Sequence, residues 1–458
     1  MAITKVRGML TAEELEALVA RGEIETVICA FPDLYGRLMG KRVEAHHFVD
    51  SVLRGEGLNA CDYLFTVDME MDPVPGYRFA SWEVGYGDMH LSPDPNTLRF
   101  ASWLEKTALV LCDADLEDGR GPVRVSPRSI LRRQLELAKE QGFVPQGASE
   151  IEFYLFRETY DSAAEKGYSN LRPVGDYIED YHIFQGTKEE GLVGAIRHHM
   201  DRSGVPVEFS KGEWGPGQHE VNLRYTDLLE MADRHTIYKE AAKEIAWQAG
   251  AAVTFMAKWN EHLAGSSMHV HLSLNDVRSG RPAFADGPEA DAFRWFLGGW
   301  LAHAREISAF YAPYPTSYKR YQSGSFAPTG IGWGYDNRTL SFRVVGKGPS
   351  LRVECRAPGA DANPYLVFAV SVAAGMDGVA RHIEPPPAIS GNAYGNPGVE
   401  RLPESSREAV EAMEGSTWVR EVLGDDVVDH YAHFLRVEQG KFDQVVTDWE
   451  RHRYFERI

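Results

Sequence analysis

The segment Ser149-Glu150-Ile151-Glu152-Phe153-Tyr154-Leu155-Phe156 sets two carboxylates two residues apart in a run that is otherwise apolar and aromatic. Such a run reads as a buried strand, and side chains alternate across a strand, so Glu150 and Glu152 share a face. Neighbouring carboxylates beside a core repel each other and resist desolvation unless a strong positive charge faces them. A fold for this chain must therefore bring cations, from the protein or from solution, to that face.

Three further segments carry the same oddity. "SKGEWGPGQHEVNLRY" places Glu213 and Glu220 on either side of a glycine-proline turn, with Glu220 at the start of a strand. "GSSMHVHLSL" alternates so that His269 and His271 share one face, and "LRVECRAPG" sets Glu354 between Arg352 and Arg356. Taken singly, a strand glutamate is usually solvated or paired with an arginine, and a strand histidine is usually a hydrogen-bonded core residue. Taken together, five glutamates and a histidine in strands form an oxygen-rich donor set with one imidazole, which suits magnesium or manganese. Arg320, Arg338, Arg343, Arg352 and Arg356 crowd one later stretch, and such a cluster is costly unless it meets carboxylates or phosphates. Divalent metal, acids and arginines point to phosphoryl transfer, and the chain has no G-x-x-x-x-G-K-[ST] loop.

The 458 residues exceed one ordinary core, and two domains of mixed α and β are expected. A formal charge of −19 argues against nucleic-acid and anionic-membrane surfaces. The amino-terminal segment has no apolar signal core and no run reaches the roughly 18 apolar residues of a membrane span, so a cytoplasmic protein is expected. Cys29, Cys61, Cys112 and Cys355 form no C-x-x-C pair and read as reduced thiols. A helix from Thr11 to Arg21, the strand "TVICAF" and a hairpin punctuated by Gly36 and Gly40 make a small first domain, residues 1–105. The second domain, 106–458, opens on the strand "TALVLCDADL" and a helix with Ser126 as N-cap, Pro127 at its first position and Gly142 as its stop. A long helix capped by Thr226 runs to Gly250 and is followed by the β-rich "AAVTFMAKW". "NPYLVFAVSVAAGMDGVARHI" reads as a central helix, and Glu384 to Gly398 as a Pro/Gly loop.

In order and spacing, "SEIEFYLF", "GQHEVNLRY", "GSSMHVHLSL", "SYKR", "DNRT", "RVECR" and "NPYL" match the signature segments of the glutamine synthetases. The chain resembles that family over essentially its whole length. The resemblance implies an α+β fold: an N-terminal β-grasp domain, then a catalytic domain whose antiparallel sheet forms a funnel among helices. It implies an enzyme that makes γ-glutamyl phosphate from glutamate and ATP and lets an amine displace the phosphate. By resemblance, Glu152, Glu213 and Glu220 hold one Mg2+ or Mn2+ and Glu150, His269 and Glu354 another, giving two or more per subunit. His271, Arg343 and Arg352 match the phosphate side of ATP, Tyr225 the platform for adenine, and Glu208 and Ser273 further nucleotide contacts. Arg320, Arg356 and Gly265 match the glutamate site, and Arg338 the arginine at the transferring phosphoryl group, so Arg320 and Arg338 are the expected catalytic pair. The family also implies a homo-oligomer, a dodecamer of two hexameric rings with sites shared between subunits, and no nucleic-acid or membrane partner. Tyr394 lies where some bacterial members are adenylylated, but its "NAYGNPG" setting lacks the acidic segment expected there.

The amine side departs from the ammonia-using pattern. Those members carry a glutamate before an Ala-Pro, where this chain has Phe326 in "SGSFAP", and an Asp-Gly-Ser-Ser loop that is missing here; Ala264 replaces a frequent asparagine. The pattern resembles the γ-glutamyl-amine ligases, the γ-glutamylethanolamide synthetases first and the γ-glutamylpolyamine synthetases next. It implies ethanolamine or another primary amine or polyamine as substrate, contacted by Phe326. The amine proton would go to another acid, Glu83 or Asp88 of a neighbouring chain, or to phosphate oxygen. Two other readings stay open: an ammonia-using glutamine synthetase, and an inactive relative serving a structural or regulatory assembly, against which the complete set of ligands and arginines argues.

Overall fold

A computed structural model describes residues 6–117 and 119–458. Helix α1 (Ala12–Ala20) starts where Thr11 and Glu14 cap each other: Glu14 N–H donates to the Thr11 hydroxyl at 3.2 Å, and Thr11 N–H to the Glu14 carboxylate at 2.8 Å. Strands β1 (Thr26–Pro32) and β2 (Leu38–Glu44) form the expected hairpin, with α2 (Ala45–Asp50) after it. The Asp33 carboxylate closes the turn by accepting the N–H groups of Tyr35 and Arg37. Gly36 sits in that turn, whereas Gly40 lies inside β2 against Ala30 of β1, where a Cβ would fall 2.0 Å from the Cys29 carbonyl oxygen.

The first sheet runs β2-β1-β6-β4-β3, where β3 is Leu58–Cys61, β4 Asp88–Pro93 and β6 Thr107–Leu116; the short β5 (Arg99–Phe100) also pairs with β6. The boundary expected after residue 105 falls just before a strand of this sheet. The strand "TALVLCDADL" is β6, the middle of the first sheet, parallel to β1 and antiparallel to β4. Its first six residues are buried, which an inner strand requires.

Helix α3 (Pro127–Glu140) begins and ends as expected, with Pro127 at its first position and Gly142 in the left-handed region just beyond, although the Ser126 side chain makes no capping bond. There follow β7 (Phe143–Phe156), α4 (Tyr160–Glu165), α5 (Ile183–Arg202), β8 (Val207–Gly212), β9 (Gln218–Leu223), β10 (Thr226–Asp227), α6 (Leu228–Gln248), β11 (Ala252–Thr254) and β12 (Met268–Asp276). The N-cap of α6 is Asp227, whose carboxylate accepts from Glu230 N–H, while Thr226 pairs with Gly147 of β7. After α7 (Asp291–Ala302) and α8 (Ser308–Tyr311) come β13 (Gly330–Ile331), β14 (Trp333–Tyr335), β15 (Phe342–Val345), β16 (Arg352–Cys355) and α9 (Pro364–Arg381).

The second sheet runs β14-β15-β16-β12-β7-β9-β8, with β10 and β11 also on β7; its pairs are antiparallel except β14 with β15. All four acid-bearing segments fall on neighbouring strands of this sheet. Helix α9 is central, as its apolar sequence implies, and packs on α3 and α7. The α7 crossing depends on Gly378, where a Cβ would lie 2.0 Å from the Trp295 carbonyl oxygen. Four helices, α10 (Ser406–Gly415), α11 (Thr417–Leu423), α12 (Asp425–Gln444) and α13 (Asp448–Tyr454), complete the chain after a 384–398 segment without helix or strand.

Two polar junctions join the sheets. Asn363, the N-cap of α9, donates to the carbonyls of Asp33 and Leu34 at 3.2 and 3.0 Å. Arg128 of α3, fully buried, binds Asp113 of β6, Asp94 just after β4 and Asp233 of α6. The four cysteines are free thiols, and among the described residues no helix is long and apolar enough to cross a membrane.

Candidate active site

Register decides which acids meet. Across β7 and its neighbours, Glu150 stands opposite His269 of β12 and Glu152 opposite Glu220 of β9, while His271 of β12 stands opposite Glu354 of β16 and Glu354 opposite Arg343 of β15. The intervening residues Ile151, Phe153, Val221, Val270 and Val353 point to the other side and are buried in the core. The polar face opens on a cavity of about 380 Å³ lined by Glu150, Glu152, Glu213, Glu220 and His269, and by Gly265, Arg320, Phe326, Arg338, Arg343 and Arg356.

Two donor groups form there, Glu152–Glu213–Glu220 and Glu150–His269–Glu354, each with ligand atoms within 4.8 Å of one another. They have different charge environments. In the first, the one ion pair among the described residues is Lys211 with Glu213, set against three carboxylates, with Arg320 acting on Glu152 from further away. Burial, then the Glu213 charge, pushes the Glu152 carboxyl up to about 7, and burial with Glu150, Glu213 and Glu152 pushes Glu220 well above the carboxylate range. That group is short of positive charge, as a site for a divalent cation should be.

The second group is compensated by the protein. Glu354 is buried, yet Arg356 at 2.6 Å and Arg343 at 2.7 Å, with both imidazoles, hold its carboxyl at about 2 against the upward push of burial. Glu150 is likewise held well below the usual range, against burial, by His271 and His269. Burial and Arg356 depress His269 to about 4, so its ring is neutral and free to act as a ligand. Arg352 Nε donates to His271 Nδ1 at 3.2 Å, and His271 Nε2 stands 2.9 Å from Glu150 Oε1. Convergent oxygens and one neutral imidazole make both groups fit Mg2+ or Mn2+.

A pH dependence follows. Glu152 has a folded pKa near 7, above its ordinary 4.5, so the folded chain binds more protons than the unfolded one across that interval. Metal-free stability from this group therefore falls as pH rises from about 4.5 to about 7. Magnesium or manganese, binding the deprotonated carboxylates, should raise the melting temperature more at about pH 8 than at about pH 5. Differential scanning fluorimetry at the two pH values is the check, and an equal shift at both would contradict the assignment.

The arginines are more committed than the sequence implies. Nη2 of Arg320 donates to the carbonyls of Arg356, Ala357 and Pro358, and Arg356 donates to Glu354 and to the Phe326 carbonyl. In each, the buried Nε has no hydrogen-bond partner. Gly265 is held close: a Cβ there would meet Arg320 Cγ at 2.5 Å and the Ala257 carbonyl at 2.6 Å. Arg338 is exposed on the cavity rim.

The expected nucleotide residues scatter further. Arg343 lines the cavity and His271 and Arg352 adjoin it through Glu150, but Ser273, Tyr225 and Glu208 do not line it. Tyr225 is 64% exposed. Glu208 sits where the β8–β9 register shifts, and the cavity takes Phe209 instead, because a bulge exchanges the faces of adjacent residues.

The sequence reading did not anticipate Asp180, Tyr181, Lys211, Trp214 and Gln218, which also line the cavity. Gln218 donates to Glu152 at 3.2 Å and to the Gly265 carbonyl at 3.0 Å. Trp214 faces Phe326 with ring centroids 5.7 Å apart, so aromatic surface borders the mouth. Phe326 has φ of 60°, in the left-handed region, and Tyr394 donates to the next carbonyl, Ala327, at 3.0 Å.

The family model for the glutamine synthetase catalytic domain matches residues 124–454. The chain is 49% identical to the gamma-glutamylethanolamide synthetase of Streptomyces coelicolor over 98% of its own length and 96% of the relative's. It is 37% identical to the glutamate–isopropylamine ligase of a Pseudomonas species, over 96% of this chain and 97% of the other. Among solved structures, the ADP complex of GmaS superposes with a TM-score of 0.84 at 28% identity, over 96% of this chain and 99% of that one. The chain is a ligase and belongs to the glutamine synthetase family.

Proposed function

We propose that the protein joins the γ-carboxyl of glutamate to a primary amine at the expense of ATP, by way of γ-glutamyl phosphate, with ethanolamine as the first candidate amine and a short alkylamine or polyamine as the second. The observation that carries the choice of amine is the Phe326–Trp214 pair at the cavity mouth. An ammonium ion offers only charge and N–H donors, whereas one or two methylenes packed on an aromatic face gain roughly 0.8 kcal/mol each. The names of the two relatives above, an ethanolamide synthetase and an isopropylamine ligase, support the same reading.

In this reading Glu152, Glu213 and Glu220 hold one Mg2+ or Mn2+ and Glu150, His269 and Glu354 another, and the bound ions neutralise charge on the nucleotide phosphates. Arg343, Arg352 and His271 face the phosphates of ATP, and Arg338 the transferring phosphoryl group, where a fixed guanidinium meets developing charge without reorganisation. The free Nε–H groups of Arg320 and Arg356, with Gly265, hold glutamate. Tyr225, Ser273 and Glu208 would reach the adenosine end of the nucleotide. Asp180 on the cavity wall is an acceptor for the amine proton within the same chain. We read the first sheet with its helices as a β-grasp domain and the protein as a cytoplasmic homo-oligomer, a dodecamer. Exposed Trp82 and Val84, and Val445, Val446, Trp449, Phe455 and Ile458 at the carboxyl end, support burial against other copies.

The test is kcat/KM for ethanolamine over ammonium, measured by phosphate release in the wild type and in Phe326→Glu. The wild-type ratio should exceed one, and the variant should shift it toward ammonium by about tenfold or more, the equivalent of roughly two lost methylene contacts. A wild type that prefers ammonium to every amine offered would reject the proposal. An unchanged ratio in the variant would move the choice away from Phe326.

A further inference from the structure

A third donor group lies behind β9. His219 precedes Glu220 in the strand and so points to the opposite side, away from the cavity and toward α5, beside Phe153. There it meets Glu189 of α5 and Glu179 of the preceding loop, with ligand atoms of all three within 4.8 Å of one another. The three side chains are at most 6% exposed, and Glu179 is fully buried.

Most of the polar atoms around this group are accounted for. Glu179 Oε1 accepts Gly217 N–H at 2.6 Å, Glu189 Oε1 accepts Gln185 Nε2 at 3.1 Å, and Glu189 Oε2 is in contact with His219 Nε2. Among the described residues Glu179 Oε2 has no hydrogen-bond donor; it points into the group, 3.4 Å from His219 Nε2. The backbone is shaped to seat this carboxylate: a Cβ on Gly175 would fall 2.1 Å from its Oε1, and one on Gly212 2.8 Å from its Cβ. Among the described residues neither Glu179 nor Glu189 has a lysine or arginine ion-pair partner. Burial, reinforced by the Glu189 charge against the pull of His219, pushes Glu179 up to about 7. Two buried carboxylates without an arginine are costly, and a dication with a neutral imidazole balances their charge.

We propose that Glu179, Glu189 and His219 bind a first-row divalent cation, manganese or zinc, behind β9 and apart from the two groups in the cavity. One imidazole nitrogen and two carboxylate oxygens are ligands that manganese and zinc both accept. Ligands about 2.1 Å from such an ion stand roughly 3–4 Å apart, which the Glu179–His219 separation already meets. Entry exchanges the Glu189–His219 hydrogen bond for two ligand bonds and leaves any proton shared by the group to solvent. The ion would tie α5 and β9 to the loop whose next two residues, Asp180 and Tyr181, line the cavity and bond through their N–H groups to the Glu213 and Gly212 carbonyls. It is therefore a brace for the wall that receives the amine, and it stands whether or not the proposed amine is right.

Equilibrium dialysis of the nucleotide-free protein against Mn2+ or Zn2+ alone, followed by elemental analysis, tests this. The wild type should retain one more ion per chain than Glu179→Gln and Glu189→Gln, while Glu152→Gln should keep this ion and lose one from the cavity. Equal counts in the wild type and in the folded Glu179→Gln/Glu189→Gln double variant would overturn the proposal and leave a shared proton as the occupant. If the variants do not fold, crystals of the wild type grown with either metal decide the matter. Anomalous density between the three side chains supports the site, and its absence beside occupied cavity sites rejects it.

Discussion

Glu354→Gln is expected to abolish measurable turnover and to destabilise the protein by about 3–5 kcal/mol, the usual cost of removing one partner from a buried ion pair. The substitution keeps shape and volume, so a packing loss cannot explain the result. It leaves Arg356, 3% exposed, with no carboxylate partner. Arg343 retains Asp336 and suffers less. The sign of the pH dependence is a second signature. The wild-type carboxyl has a folded pKa of about 2, below its ordinary 4.5, so its contribution is fully present above about 4.5 and is lost as pH falls toward about 2. The variant should lack that acid-side slope. Urea titration between about pH 3 and pH 7, together with phosphate release, measures both effects. A variant within about 1 kcal/mol of wild type at neutral pH would show that the arginines do not depend on Glu354.

Arg128→Met should lower stability by a similar margin, about 3–5 kcal/mol, without touching the cavity. The guanidinium reaches Asp94 at 2.9 Å and Asp233 at 3.0 Å and also contacts Asp113. Arg132 still serves Asp94 and Asp113 once Arg128 is gone, but among the described residues Asp233, 1% exposed, keeps only the Tyr365 hydroxyl at 2.6 Å. The damage should therefore concentrate at Asp233. In a double-mutant cycle, Arg128→Met/Asp233→Asn should be more stable than Arg128→Met alone, because the orphaned charge is removed with its partner. No recovery in melting temperature would mean that Arg128 acts through packing of its stem.

The acid-bearing strands were legible because their chemistry is periodic: Glu150 with Glu152, His269 with His271 and Glu354 between arginines can share a face only in a strand. The match of those segments to a family named the partners that periodicity leaves open. What escaped had no local signal. The parallel pairing of β6 with β1 joins residues about eighty positions apart, and nothing in "TALVLCDADL" says which sheet claims it. Glu208 falls outside the cavity lining because a bulge passes its face to Phe209. Asp180, Tyr181 and Glu179 sit in a loop, where an acid ordinarily meets water, and only the packing of α5 on β8 and β9 turns that loop inward. The cap of α6 is Asp227 and not Thr226, because the carboxylate one residue later is the group that accepts Glu230 N–H.

Phe326 holds a left-handed backbone that side chains other than glycine and asparagine rarely adopt, at a cost of order 1–2 kcal/mol. Selection for robustness alone would replace it with glycine, the residue that relieves the backbone and removes the aromatic face together. Under the amine choice proposed above, drift at this position is biased: random substitution under weak demand for that choice leads toward a more stable and less discriminating protein, and continued use of the larger amine is what would hold the ring in place. A chain of this kind would be expected to lose its preference more readily than its fold.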